Sequence, residues 1–192
     1  QFLSGMDPLQ WTHELCAAVV ELRTDPTANV AGMMQQLNGG MFHGAIRAQS
    51  CGFQLAFQPV SPFMISEPMI YAADEYSGIE AAWPTEKIIA ASLVAGTHFH
   101  IGVTSWEEAV DVYNTVSNHV VSSMNHDTQM MQGEYYERIK LYEKVVPDPY
   151  PYELASVREL YDRACTDGYV HNLSKNYAWV RITRHGTVEC RY

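Results

Sequence analysis

The chain has 192 residues and a formal net charge of −10, from 22 acidic and 12 basic residues. A surface of that charge repels phosphate backbones, and no Lys/Arg cluster offsets it, so no nucleic-acid partner is expected. Hydrophobic residues make up 47% and charged residues 18% of the chain, as in globular proteins. No apolar run reaches the roughly eighteen residues that span a membrane. We therefore expect a single globular domain over residues 1–192 without a membrane span.

The first half of the chain is predicted to be mainly helical. Asp7-Pro8 is typical of a helix start. Apolar residues then recur at helical spacing, namely Trp11, Leu15, Val19 and Leu22. Asp25-Pro26 predicts a second helix, ended by Asn38-Gly39-Gly40, and the Gly-, Gln-, Ser- and Pro-rich residues 41–63 predict a long loop.

Two further helices are predicted before the first strand. Ser66-Glu67-Pro68 predicts the start of one helix, and Trp83-Pro84-Thr85 predicts the start of a shorter one that runs to Leu93. The following segment, Thr97–Val103, is β-branched and partly aromatic, which predicts a strand.

The second half combines helices with strands. The capping box Ser105-Trp106-Glu107-Glu108 predicts a helix that runs to about Met124. Residues 130–144 and 151–165 predict two more helices. A hairpin closes the chain, with strands Tyr177–Thr183 and Thr187–Tyr192. Helices and strands that alternate in this way favour an α/β or α+β fold over an all-helical one.

Three histidines are candidate metal ligands. His98 and His100 are two residues apart on the predicted strand, so both side chains are expected on one face. His119, on the next helix, could supply a third ligand. Zinc held by three imidazoles with an open position would activate a water for hydrolysis. The alternative is that all three are ordinary half-buried or exposed histidines.

Tyrosines are concentrated in residues 130–176: Tyr135, Tyr136, Tyr142, Tyr150, Tyr152 and Tyr161. Tyrosine suits an adaptable contact surface, through which the chain could bind a partner or form an oligomer. The alternative is that these side chains pack the two extra helices onto the body of the domain.

The stretch Ala95–Val110 contains Ala95-Gly96-Thr97 and, ten residues further on, Glu107-Glu108-Ala109-Val110. It resembles a pattern of the CAP superfamily, in which Ala-Gly-Glu-Asn-Ile precedes a helix opening with Glu-Glu-Ala-Val. That superfamily groups cysteine-rich secretory proteins, venom antigen 5 and plant pathogenesis-related proteins. Asn118–Met124 then lies where the family has Gly-His-Arg-Ala-Asn-Ile-Met. Weaker similarities are Glu21–Pro26, Ser66–Ser77 and the closing hairpin.

The resemblance implies a three-layer α/β/α sandwich, here with a helical insertion at about 130–176. It places His119 in the family's cavity, whose other members are partly replaced. Thr97 stands where the family has a cavity Glu, Gly78–Lys87 contains no His, and the last cavity Glu corresponds to Glu107 or Glu108. Of these we take His119, Thr97 and Glu108 as the candidate ligand-binding residues.

The function that the resemblance implies is non-enzymatic binding outside the cell, with a lipid or sterol, another small hydrophobic molecule or a protein as ligand. One alternative is a metal-dependent hydrolase that uses the three histidines. Another is a structural subunit of an extracellular assembly. No cofactor is expected apart from zinc in the hydrolase alternative.

Several features favour an oxidising, extracellular compartment. The chain starts at Gln1 without an initiator Met, as a secreted protein does after signal cleavage and as an excised segment does. Asn172-Leu173-Ser174 is a glycosylation sequon. Four cysteines could form two disulfides in one of three pairings: Cys16, Cys51, Cys165 and Cys190. The alternative is four free thiols in a cytosolic protein.

Overall fold

The computed structural model describes residues 1–61, 70–72, 76, 78–130, 134–146 and 148–191. The chain falls into two compact units, Gln1–Leu93 and Val94–Tyr192. The mixed α/β class is confirmed, since both units contain helices and strands. The single-domain interpretation stays a prediction.

After a short 3-10 helix, Leu3–Gly5, the first unit forms a hairpin where a helix was predicted. Strand β1, Trp11–His13, pairs antiparallel with strand β2, Val20–Leu22. The predicted helix is wrong because Trp11 and Leu22, although helically spaced, are cross-strand partners. Asp7 does not start a helix: its carboxylate accepts the Leu9 N–H at 2.9 Å, which closes a local turn.

Helix α1, Val30–Ser50, follows the hairpin and runs straight through the predicted stop. Its N-cap is Asn29, whose side chain accepts the Gly32 N–H at 2.8 Å. The loop predicted from residue 41 is therefore wrong as far as Ser50. The reason is packing, since the buried residues of this helix recur every four positions: Gly40, Gly44 and Ala48.

Those glycines let helix α1 approach the hairpin closely. A Cβ atom on Gly40 would lie 2.6 Å from Cδ1 of Leu22, and one on Gly44 would collide with the Trp11 ring. A residue type that ends isolated helices is here required inside one, because only glycine leaves room for the neighbouring side chains.

The rest of the first unit contains helices α2, Ile79–Ala82, and α3, Thr85–Leu93. Helix α3 confirms the short helix predicted from Trp83-Pro84-Thr85. The helix predicted to open at Ser66-Glu67-Pro68 starts outside the described residues, but it is wrong at residues 70–72, because Ile70 forms an antiparallel bridge with Cys16.

The second unit matches its predicted elements closely. These are β3 (Phe99–Gly102), α4 (Trp106–Met130), α5 (Glu134–Val145), α6 (Val157–Thr166), β4 (Val180–Ile182) and β5 (Thr187–Cys190). The predicted strand, the three helices and the hairpin are confirmed, and α4 continues past Met124 to Met130.

The three strands form one antiparallel sheet in the order β3-β5-β4. Its inner face belongs to a buried core shared with helices α4, α5 and α6: Tyr113, Val120, Met124, Ile139, Tyr142, Leu160, Trp179, Val180, Ile182 and Val188. The helices of the 130–176 segment therefore help to build this core.

The tyrosines of that segment divide between core and surface. Tyr142 is buried and Tyr152 packs against the core, whereas Tyr150 and Tyr161 are 43% and 54% exposed. The side chain of Tyr135 lies outside the described part. Among the helices that the structure describes, none combines the length and apolarity that crossing a membrane requires.

Candidate binding site on the three-stranded sheet

Strand β3 is an edge strand whose whole length is exposed. All four of its residues are exposed, and the aromatic ring of Phe99 and the side chain of Ile101 are each 41% exposed. Such an edge carries backbone donors and acceptors without ladder partners. Along the described residues, only β5 pairs with β3.

The register shows which backbone groups point outwards. Phe99 lies opposite Cys190 and Ile101 opposite Val188, and the Val103 N–H donates to the Gly186 carbonyl at 3.1 Å. Hydrogen-bonded and non-hydrogen-bonded pairs alternate in an antiparallel ladder. The N–H and C=O groups of His100 and Gly102 therefore face away from β5.

The opposite edge of the sheet is protected. Val180 and Ile182 of β4 are 0% and 4% exposed. The Trp179 N–H, just before that strand, donates to the Pro149 carbonyl at 2.7 Å. The fold thus covers β4 and leaves β3 open, although an open edge is a liability that proteins usually block.

The polar face of the sheet is organised by one buried carboxylate. Glu189 of β5 is 1% exposed, and its Oε2 accepts a hydrogen bond from Arg181 Nε at 2.6 Å. Arg191 Nε lies 3.4 Å from Oε1 of the same carboxylate. Burial alone would raise the pKa of Glu189, but the hydrogen bond and charge of Arg181 and the charge of Arg191 outweigh it and hold the pKa below its ordinary value.

Arg191 is incompletely satisfied in this cluster. Its Nε and Nη1 atoms are buried and have no hydrogen-bond partner among the described residues, and the contact of Nε with Glu189 is long. Two guanidinium groups share this single carboxylate, so the positive charge around it exceeds the negative charge of Glu189.

His98 and His100 line the same face next to the open edge, which confirms their predicted common side. His98 Nδ1 lies 3.3 Å from Glu189 Oε1, and His100 Nδ1 lies 3.1 Å from the Thr187 hydroxyl. Both partner residues belong to one face of β5, because they are two positions apart on that strand. Burial and the positive charge of Arg191 lower the pKa of His98 from 6.5 to about 4, so its imidazole is neutral at pH 7.

The expected third metal ligand is not inward-facing. His119 is exposed on α4, whereas Tyr113, Val120 and Met124 form the buried stripe of that helix. The expectation that the His119 imidazole points inwards is wrong, because the helical repeat places it beside that stripe.

The metal prediction remains open after this result. In the part of the chain that the structure describes, no three His, Cys, Asp or Glu side chains are grouped so as to hold a metal ion. The arginines that disfavour a protonated His98 would also disfavour a divalent cation beside it. The zinc site stays a prediction.

The other candidate cavity residues lie near the ends of β3. Thr97 is exposed just before the strand. Glu108 is exposed in the first turn of α4, where its N–H donates to the Ser105 hydroxyl at 3.0 Å. Its carboxylate accepts the Thr104 N–H and hydroxyl, both at 2.6 Å, which lowers its pKa. The predicted cap at Ser105 is confirmed. The Glu108 carboxylate, however, binds Thr104 instead of the Ser105 N–H.

The four cysteines and Asn172 are the predicted modification sites. All four cysteines are free thiols in the structure: Cys16 is buried, Cys51 and Cys190 are half-buried, and Cys165 is exposed. Asn172 is half-buried in the turn that precedes a short 3-10 helix, Leu173–Lys175. The disulfides and the glycan stay predictions.

The cluster residues themselves were missed by sequence reasoning. Arg181 and Glu189 each stand between two apolar residues of a closing strand and pair directly across the hairpin. The sequence did contain a signal for this pair: Arg181 and Glu189 have opposite charges and are equally far from the turn at 184–186, as cross-strand partners would be.

Comparisons with protein-family models, with curated proteins and with solved structures find no match for this chain.

Proposed function

We propose that the second unit is a binding module that takes up an extended polypeptide segment as an added strand along β3. The observation that carries this proposal is the open edge: outward backbone groups at His100 and Gly102 beside the exposed side chains of Phe99 and Ile101. Main-chain hydrogen bonds would supply affinity, and alternate side chains would supply specificity.

A non-enzymatic binding role is also what the CAP resemblance implies. The CAP-like sandwich, the extracellular location and the lipid or sterol ligand stay predictions, and strand addition requires none of them. The metal-dependent hydrolase and the structural subunit also stay predictions.

Gly102 offers a direct test of strand addition. Its N–H points outwards, so Gly102→Pro removes a donor that the incoming strand needs and that the β3–β5 ladder does not use. A Cβ atom at this position meets nothing within 4 Å, so Gly102→Ala is a matched control that keeps the N–H. The probe is a fluorescein-labelled, acetylated and amidated peptide, SVEVEVS, and the measurement is fluorescence anisotropy.

We expect the peptide to bind the native chain and the Gly102→Ala variant alike, and the Gly102→Pro variant about tenfold more weakly, as the loss of roughly one hydrogen bond plus the ring's bulk implies. Backbone exchange would locate the site: the His100 and Gly102 amides should become protected when the peptide binds. Equal binding to both variants, or no binding to the native chain, would show that strand addition is not the function.

A further inference from the structure

The polar side of the open edge carries a local positive charge, opposite in sign to the net charge of the chain. The chain as a whole carries a net charge of −10. Beside β3, however, the described cluster around His98 contains the carboxylate of Glu189. This carboxylate is 1% exposed and already contacts Arg181 and Arg191. The side chains of Arg181 and Arg191 are only 14% exposed, so a ligand approaching this edge meets the imidazoles first and the incompletely neutralised arginine charge lies behind them.

The basic groups extend along the whole edge. Continuing the β3–β5 register places His98 opposite Arg191 at one end. At the other end the turn of the hairpin is tied to β3 by the Val103–Gly186 hydrogen bond. That turn carries Arg184 and His185, both exposed, with Arg184 Nε 3.4 Å from His185 Nε2. Among the described residues Arg184 makes no ion pair.

Two competing acids, Glu107 and Glu108, follow β3 in the first turn of α4. There Glu108 already accepts two hydrogen bonds from Thr104, and both carboxylates lie where a helix N-terminus favours negative charge.

We infer that the segment added at β3 is acidic: on the polar side of the sheet its carboxylates complement the arginine charge behind His98, and on the other side apolar residues cover Phe99 and Ile101. This inference rests on the proposed strand addition and names its ligand class. Side chains two positions apart on an extended segment face one side, so an alternating acidic and apolar sequence fits both faces of the edge at once.

The test compares two labelled peptides, SVEVEVS and its amide counterpart SVQVQVS, on the native chain at low ionic strength. Two carboxylates beside a partly screened positive charge predict that the acidic peptide binds about fivefold more tightly, and that added salt reduces this preference. Arg184→Glu should lower the preference by several-fold while leaving the affinity for the uncharged SVQVQVS unchanged.

A matched control is Arg158→Glu on α6, which makes the same change of net charge at a guanidinium that is 80% exposed. It should leave the preference intact. Equal binding of the two peptides would overturn the acidic specificity and leave strand addition standing. Failure of both peptides to bind would overturn strand addition itself.

Discussion

Glu189 illustrates how a buried charge can be maintained at the surface of a small sheet. An ionised carboxylate that is 1% exposed is costly unless its partners are close. Arg181 supplies a hydrogen bond at 2.6 Å, and the long contact with Arg191 adds charge without a second hydrogen bond. Together with burial, the positive charge of the same arginines lowers the pKa of His98. The imidazole therefore stays neutral although its Nδ1 lies 3.3 Å from the carboxylate.

The neutral state of His98 predicts a dependence of stability on pH. Its pKa is about 4 in the folded chain against an ordinary 6.5. Between these values the unfolded chain binds more protons, so stability falls as the pH is lowered from 6.5 to 4 and is fully present above 6.5. We expect His98 to account for about 2 kcal/mol of this loss, less than the full shift implies because part of the ring remains in water.

Urea unfolding of His98→Gln across pH 4–7 would measure this contribution. The variant should show a flatter stability profile over that interval than the native chain. His119→Gln, at an exposed position on α4, is the control and should keep the native slope. A native-like slope in His98→Gln would contradict the assignment. Glu189, whose pKa is lowered from 4.5, overlaps only the lowest part of that interval, since its contribution is lost as the pH falls below 4.5.

The sequence predicted that the two histidines share one face of the strand, but it did not predict the charged residues around them. The i, i+2 spacing of His98 and His100 predicted their common face, because the strand period is two. The arginine–glutamate cluster depends on which residues meet across the hairpin, which spacing along one strand does not reveal. The orientation of His119 was missed because the inward position came from a resemblance and not from the apolar stripe of α4.

At the scale of elements, prediction succeeded where local signals agreed with packing. The hairpin around the turn at 184–186 and the helix that Ser105 caps both have local chemistry that matches their final contacts. Prediction failed at residues 11–22, where apolar spacing fitted a helix and a hairpin equally well, and pairing with β2 decided the outcome. It failed again at Gly39-Gly40, because the contact that stabilises α1 lies in a different segment of the chain.

The glycines of α1 provide a prediction with an internal control. A Cβ atom added to Gly39 would meet nothing within 4 Å, whereas one added to Gly44 would collide with the ring of Trp11. Gly39→Ala should therefore stabilise the chain by about 1 kcal/mol through helix propensity. Gly44→Ala should destabilise it by about 1–3 kcal/mol, because the rigid indole must move.

Thermal unfolding of both variants, followed by circular dichroism, would check the two opposite signs. Gly40→Ala is expected to fall between them, since its neighbour is the more adaptable side chain of Leu22, 2.6 Å from the added Cβ atom. If Gly44→Ala were as stabilising as Gly39→Ala, the close packing of α1 on the hairpin would be contradicted.

At the scale of the whole molecule, the apolar core is distributed unequally. The large buried cluster of α4, α5, α6 and the three-stranded sheet lies entirely within Val94–Tyr192. Among the residues of Gln1–Leu93 that the structure describes, the buried apolar ones are mostly small or isolated: Trp11, Cys16, Ala48, Ile88 and Ala90. Several large apolar side chains of that unit are exposed instead, namely Leu9, Val30, Met34, Phe42, Ile46, Phe53 and Phe57.

This asymmetry predicts that the two units differ in their ability to fold alone. A fragment of residues 94–192 keeps every member of the large core, so it should unfold in one cooperative transition. A fragment of residues 1–93 has few buried apolar side chains among those that the structure describes and exposes several large ones, so it should be unstable or self-associate. Calorimetry and light scattering on the separately produced fragments would measure both behaviours. Non-cooperative melting of 94–192 would mean that its core depends on the first unit, and the β3 edge would then form only in the full chain.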